Sequence, residues 1–231
     1  MANTYHLTRY GHTYKIAVDD EFMEHHYRRG ELCEYHMLDW IQKHVPPGGV
    51  WVDAGANVGN HSLFFATAMD ADLVLAFEPA DVNYSLLLEN TRPYVNIVPQ
   101  KLGVGSKVEM AGIRLGGTGK NCQFELHTPT DEADATIPVL PIDSLVPRYN
   151  VRCLKLDVEG MEILAITGAW ETIKLCLPEI FVEVWKRHEL DLIIATLGVL
   201  GYKLIERYNV APTYHFSVRP YKVTYTEPPA V

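Results

Sequence analysis

Val50-Trp51-Val52-Asp53-Ala54-Gly55-Ala56-Asn57-Val58-Gly59-Asn60-His61-Ser62 reads as a buried strand, a glycine-containing turn and a helix start in immediate succession. Val50 to Val52 are apolar and β-prone, as a parallel strand buried on both faces should be, and Leu63 to Ala66 continue as a helix. The backbone must turn sharply between them. Gly55 and Gly59 suit that turn because a residue without Cβ tolerates positive φ and lets a ligand approach the main chain. Asp53 falls at the carboxyl end of the strand, the edge at which open α/β sheets bind ligands. Taken together, the segment Asp53 to Asn60, including Ala56 and Asn57, is expected to cradle a nucleoside-type cofactor.

A second strand signal follows at the expected distance. Ala71 to Phe77 is a further apolar run and ends in Glu78-Pro79, placing a carboxylate 23 positions after Gly55. A carboxylate at that point can accept both hydroxyls of a ribose. A dinucleotide fingerprint counted from Gly55 would need glycine at positions 57 and 60, where the chain has Asn57 and Asn60, so a nicotinamide-dependent enzyme is disfavoured. No G-x-x-x-x-G-K-[ST] loop occurs either. A ligand with a ribose but no phosphate fits best.

DAGANVGNHS (53–62), FEP (77–79) and Lys155-Leu156-Asp157-Val158-Glu159-Gly160-Met161-Glu162 resemble the motifs of FkbM-family S-adenosylmethionine-dependent methyltransferases. Smaller pieces agree: the Leu86 to Asn90 helix end, Ile142-Asp143-Ser144-Leu145, and Ile180 to Glu183. The resemblance covers roughly residues 31 to 184. It implies an α/β, Rossmann-like class I methyltransferase sheet of seven strands, ordered 3-2-1-4-5-7-6 with the last antiparallel and helices on both faces. It also implies S-adenosylmethionine as methyl donor, S-adenosylhomocysteine as product, and O-methylation of a sugar, a glycan or a small natural product. Leu102 and Gly103, after the third strand, are expected to border the adenine by position.

The chemical expectation rests on Asp157 and Glu159 at the end of the fourth strand. Methyl transfer is an in-line displacement at carbon, so the protein must align the acceptor with the S–CH₃ bond and remove a proton from it. Asp157 is the first choice for positioning acceptor or cofactor, with Glu159 second; His61, opening the helix beside the turn, is a third candidate. Lys155 lies two residues before Asp157, on the same strand face, which suits a structural ion pair. Glu183 would end the neighbouring strand. These carboxylates offer oxygen ligands of the kind Mg²⁺ takes, but no metal is assigned because carboxylates at strand ends commonly serve caps and ion pairs. His127 and His215 carry weaker signals, and none of the ten histidines shows a recognised ligand spacing.

The whole chain of 231 residues, 48 % apolar, reads as one methyltransferase domain with no linker. Residues 1–47 form an accessory segment holding a strand at Tyr14 to Val18 and a helix at Cys33 to His44. Its aromatics, Tyr5, Tyr10, Tyr14, Phe22, Tyr27 and Tyr35, suit core packing, a homodimer contact or a sugar platform. Downstream, the reading places helices at Asp81 to Arg92 (N-cap Asp81), Gly160 to Ile173 and His188 to Leu197. Strands follow at Asn96 to Val104, Val151 to Leu156, Glu179 to Val184, Tyr202 to Glu206 and Tyr214 to Val218. Residues 106–136 are read as a β-hairpin insertion over the active site, with a turn at Gly116 to Lys120. Cys33, Cys122, Cys153 and Cys176 form no C-x-x-C pair and are expected to be reduced. A net charge of −9 opposes polyanion binding, so nucleic acid is not an expected partner. Neither a membrane-spanning run nor a signal-peptide core is visible, so a cytoplasmic enzyme without membrane insertion is expected. N-methylation of a small molecule, or a catalytically silent nucleoside-binding protein of the same fold, are the alternatives.

Overall fold

The computed structural model describes residues 2–116, 123–127, 136–147, 150–222, 224 and 225. Its first element is a hairpin of β1 (Asn3–Arg9) and β2 (His12–Val18), joined by Tyr10 and Gly11, both at positive φ. That is the backbone a two-residue hairpin turn requires. The sequence reading places only β2 here, because most β1 side chains are exposed and carry little apolar signal. It also omits α1 (Glu21–Arg28), which Asp20 caps by accepting the Met23 N–H at 2.8 Å. The next helix, α2 (Tyr35–His44), begins two residues later than expected, after Glu34 in the left-handed conformation.

The central layer follows. β3 (Val50–Ala54), α3 (Asn60–Thr67), β4 (Leu73–Phe77), α4 (Asp81–Thr91) and β5 (Ile97–Gln100) build the first half of a sheet. After β6 (Gly103–Val104), β7 (Glu109–Gly116), β8 (Gln123–His127) and β9 (Thr136–Leu140) come β10 (Val151–Leu156), α5 (Glu162–Gly168), α6 (Trp170–Cys176), β11 (Glu179–Glu183), α7 (Arg187–Gly198), β12 (Lys203–Tyr208) and β13 (Thr213–Ser217). The seven-stranded sheet runs β12-β13-β11-β10-β3-β4-β5, which is 3-2-1-4-5-7-6 when its strands are counted along the chain from the β5 edge. All neighbours pair in parallel except β13, which is antiparallel to both β11 and β12.

Both faces of this sheet are buried, with the period of two that pleating imposes. On β3, Trp51 packs with Phe64, Phe65 and Phe181 in one core, while Val50, Val52 and Ala54 join Leu154, Leu156 and Ile180 in the other. Three polar side chains tie outlying segments to these cores. Asn90, buried on α4, accepts the Ala17 N–H at 2.7 Å and donates to the Ala17 and Val58 carbonyls at 2.8 Å each, joining β2 to the glycine turn. Asn60 bonds both the N–H and the carbonyl of Cys33. Glu179, fully buried at the start of β11, receives His215 at 2.6 Å, Ser217 at 3.0 Å and Arg219 at 3.0 Å, pinning β13 in place.

Several boundaries differ from the sequence reading for identifiable reasons. The expected strand Asn96 to Val104 is two strands, because the chain turns at Leu102, whose N–H bonds the Gln100 carbonyl, and β6 then pairs with β9 in a separate four-stranded sheet ordered β6-β9-β7-β8. The insertion is therefore a sheet with its hairpin, β7 and β8, at one edge. Most of the turn read at Gly116 to Lys120 lies outside the described residues, as do Cys122 and the side chain of His127. The helix expected over Gly160 to Ile173 breaks at Ala169, where a Cβ on Gly168 would come within 1.9 Å of the Gly105 carbonyl oxygen. Asp81 is not the N-cap of α4; Ala80 occupies that position, and Asp81 instead pairs with Lys101. Cys33 and Cys153 are buried free thiols and Cys176 is half-buried. Among the described residues, no helix is long and apolar enough to cross a membrane.

Among the described glycines, Gly55 leaves very little room for a side chain. A Cβ there would lie 1.7 Å from the Asp157 carbonyl oxygen, and φ is +76°. Gly55→Ala should lower the melting temperature by at least roughly 5 °C, since left-handed strain alone costs about 1–2 kcal/mol and the clash adds to it. Gly198→Ala, with open space around the new methyl group, is the control and should be neutral or mildly stabilising. Thermal denaturation of the two variants checks both.

Candidate functional site

The strand ends of β3, β4, β10 and β11 converge on one edge of the sheet. Gly55 and Ala56 donate their N–H groups to the Phe77 carbonyl at 2.9 and 3.0 Å, folding the glycine turn back over the end of β4. At Asn57 the chain enters the left-handed region at φ +50°, which aims its N–H at the Glu78 carboxylate, 2.8 Å away. The other Glu78 oxygen accepts the Ala80 N–H at 2.9 Å. Both carboxylate oxygens are thus held by main-chain donors. Burial pushes the Glu78 carboxyl up to about 7, the Ala80 and Asn57 N–H groups offset part of that rise, and the Asp157 charge adds to it.

Glu78 lies in a narrow slot also lined by Phe77, Pro79, Asn83, Leu102, Gly103 and Val104. A second, wider cavity of about 660 Å³ extends from the same turn toward the N-terminal segment, reaching Phe22, Glu34, His61, Glu183 and Trp185. Gly55, Asn57, Asp157 and Glu159 line both. They form the junction of a two-chambered cleft.

Beneath the junction sits Lys155, 3 % exposed. Its ammonium donates to Asp157 Oδ2 at 3.1 Å and the Gly55 carbonyl at 3.2 Å, and Asp53 Oδ1 stands 3.8 Å away. Burial opposes its charge, but Asp157, Asp53 and Glu34 together hold it above the usual lysine range. The ion pair expected between Lys155 and Asp157 is present. Asp53 is fully buried under the turn, takes the Ser62 hydroxyl at 2.6 Å on Oδ2, and lines neither chamber. Gly59 likewise lies outside both chambers: a Cβ there would meet Leu87 at 2.9 Å, so its role is packing at the start of α3. Asn60 reaches the wide chamber while its amide braces Cys33.

Three more carboxylates, Asp20, Glu34 and Glu183, line the wide chamber beyond Asp157 and Glu159. Glu34 pairs with His61 at 2.9 Å; burial would raise its carboxyl, but His61, Lys155 and Asn209 together hold it below the usual range. Glu183 accepts the Trp185 indole N–H at 2.7 Å, and burial, with Asp157 and Glu34 nearby, pushes it up to about 8. Glu34, Asn57 and Glu159 are all non-glycine residues at positive φ. Such strain persists where the surroundings enforce it, and it clusters at functional sites. The sequence offers no signal for Glu34, which belongs to no motif and arrives through α2. Trp185, in the loop after β11, belongs to no motif and could have been found only by knowing which segments meet. Of the six N-terminal aromatics considered above, Phe22 alone lines the chamber. His215 is fully buried against Glu179 and Phe181, away from it. Among the described residues, no group of three or more His, Cys, Asp or Glu side chains is arranged to hold a metal ion.

Comparison with protein families matches residues 53–204 to the methyltransferase FkbM domain. Among solved structures, a methyltransferase FkbM from Methylobacillus flagellatus KT is similar at 21 % identity and a TM-score of 0.56, over 73 % of this chain and 43 % of that one. This chain thus spans less than half the length of that protein. A putative rRNA methylase from Clostridium thermocellum is similar at 13 % identity and a TM-score of 0.51, over 79 % of this chain and 92 % of the other. At these identities the likeness is one of fold. No curated protein matches the chain. With two thirds of its length matching the family model and both motif segments at the edge of the sheet, the chain belongs to the FkbM methyltransferase family.

Proposed function

We propose that the cleft binds S-adenosylmethionine and that the protein O-methylates a hydroxyl of a small molecule or glycan, releasing S-adenosylhomocysteine. The observation that carries this reading is the anchored Glu78 carboxylate in an apolar slot that opens, across Gly55, Asn57, Asp157 and Glu159, into a larger acidic chamber. Glu78 suits the two ribose hydroxyls; Phe77, Pro79, Leu102 and Val104 suit an adenine face. The bound cofactor supplies an electrophilic methyl group on a cationic sulfur, and the carboxylates of Asp157 and Glu159 are where such a charge is stabilised.

The other residues position and deprotonate the acceptor. His61 faces the wide chamber with Glu34 behind it at 2.9 Å, so an imidazole that takes the hydroxyl proton as the O–CH₃ bond forms finds its new charge already compensated. Asp157 is committed to Lys155 and serves to position rather than to take the proton. A macromolecular polyanion is a poor fit for a chamber of this sign, and a small acceptor is proposed instead.

Calorimetric titration with S-adenosylhomocysteine tests the reading. The native protein should bind, and Glu78→Ala should weaken binding by roughly 10- to 100-fold, the loss expected for hydrogen bonds to a charged group. Absence of binding by the native protein would sink the proposal. The pH dependence follows from the raised Glu78 carboxyl. Ribose hydroxyls donate to the ionised form, so affinity should rise as pH passes upward through about 7, with proton release below that value, and Glu78→Gln should abolish both effects. Folding stability should move the other way. The protonated carboxyl is tolerated in the native state, so its contribution is complete below the unfolded carboxyl's ordinary range and is lost as pH rises to about 7. The melting temperature of the ligand-free protein should therefore fall over that window, and less so in Glu78→Gln.

A further inference from the structure

The wide chamber is strongly one-sided in charge. Five carboxylates, Asp20, Glu34, Asp157, Glu159 and Glu183, line it against two basic side chains, Lys155 and His61. Both basic groups are engaged already, Lys155 by Asp157 and the Gly55 carbonyl, His61 by Glu34. Neither is paired with Glu183, whose carboxylate is 8 % exposed and meets the indole N–H of Trp185. The mouth is of opposite character. Phe22, Trp185 and Val210, which also line the chamber, are 52, 61 and 85 % exposed, an apolar rim around an acidic floor.

Asp157 and Glu159 lie at the junction with the nucleoside slot and are accounted for by the cofactor's own positive charge. Glu34 is paired with His61, and Asp20 caps α1 by accepting the Met23 N–H. Glu183 and Trp185 remain, an acidic side chain beside an exposed aromatic ring, a pairing that favours an ammonium group: the ring attracts a cation, and the carboxyl, giving up its proton to solvent as the cation arrives, accepts the ammonium N–H bonds. An acceptor carrying a phosphate or carboxylate would meet like charge on entry, with no uncommitted cation among the described lining residues to receive it.

We infer that the acceptor is a small amphiphile with a positively charged amine head, held between Glu183 and Trp185, its apolar body against Phe22 and Val210. This rests on the methyltransferase reading above and adds the charge class of the acceptor to it. The amine is a recognition group; the methylated hydroxyl is the one presented to His61.

Protein saturated with S-adenosylhomocysteine is titrated with benzylammonium, benzyl alcohol and benzoate, three probes that share a ring and differ in head charge, and binding is read by saturation-transfer NMR. Benzylammonium should bind roughly tenfold more tightly than the alcohol, with benzoate weakest. Glu183→Gln should bring the amine and the alcohol within about twofold of each other, high salt should narrow the gap in the native protein, and Trp185→Ala should weaken both. Benzoate binding as tightly as benzylammonium, a ranking unchanged in Glu183→Gln, or no binding of any probe would overturn the inference. Calorimetry with S-adenosylhomocysteine on the same preparation separates the two readings: cofactor binding without a charge ranking removes only the amine-bearing acceptor, whereas failure to bind the cofactor removes the methyltransferase reading itself.

Discussion

One buried ammonium organises this molecule's working edge. Lys155 reaches the Gly55 carbonyl, the Asp157 carboxylate and the neighbourhood of Asp53, and so joins the ends of β3 and β10 from below. Its position requires that the two chain segments come close, and the Asp157 carbonyl occupies the volume a side chain at residue 55 would need. Removing one partner of such a buried set leaves the others uncompensated, typically at a cost of about 3–5 kcal/mol. The ammonium, the missing Cβ of Gly55 and the carboxylates around them are therefore one structural unit. The turn that exposes Asn57 and Glu159 to ligand is held by it.

Around that unit the electrostatics are arranged in layers. The positive charge is buried underneath beside Asp53, while the Asp157 carboxylate it holds faces the cleft. Glu78 and Glu183, which have no ion pair with a cationic side chain shown among the described residues, have carboxyls raised into the neutral range, while Glu34, with His61, does not. A ligand bringing hydroxyl donors or positive charge relieves the cost of burying these groups. This is a site in which unfavourable burial in the ligand-free state is convertible into affinity.

Much of the fold was legible because parallel strands buried on both faces carry apolar runs, as β3, β4 and β11 do, while β10, interrupted by Arg152 and Lys155, is marked instead by the motif that ends it. The glycine turn and Glu78 were legible because their spacing is dictated by the strand-turn-helix unit that carries them. Less visible were elements whose existence depends on neighbours. β1 is mostly exposed, and the short β6 leaves the central sheet only because β9 is there to pair with it. Asn60 illustrates the limit for individual residues: its place beside the turn suggests ligand contact, while its amide in fact also spans to Cys33 and fastens the accessory segment to α3.

The sequence by itself determined the strand-turn-helix cradle, the carboxylate at the end of the second strand and the family, since these follow from short-range spacing and backbone conformation. Tertiary structure alone decided what the wide chamber contains. Glu34, Phe22, Glu183 and Trp185 are separated by up to 163 positions along the chain and share no pattern. They meet because the N-terminal helices fold across the carboxyl edge of the sheet, and the charge of a cavity is a sum over walls that no local stretch of sequence contains.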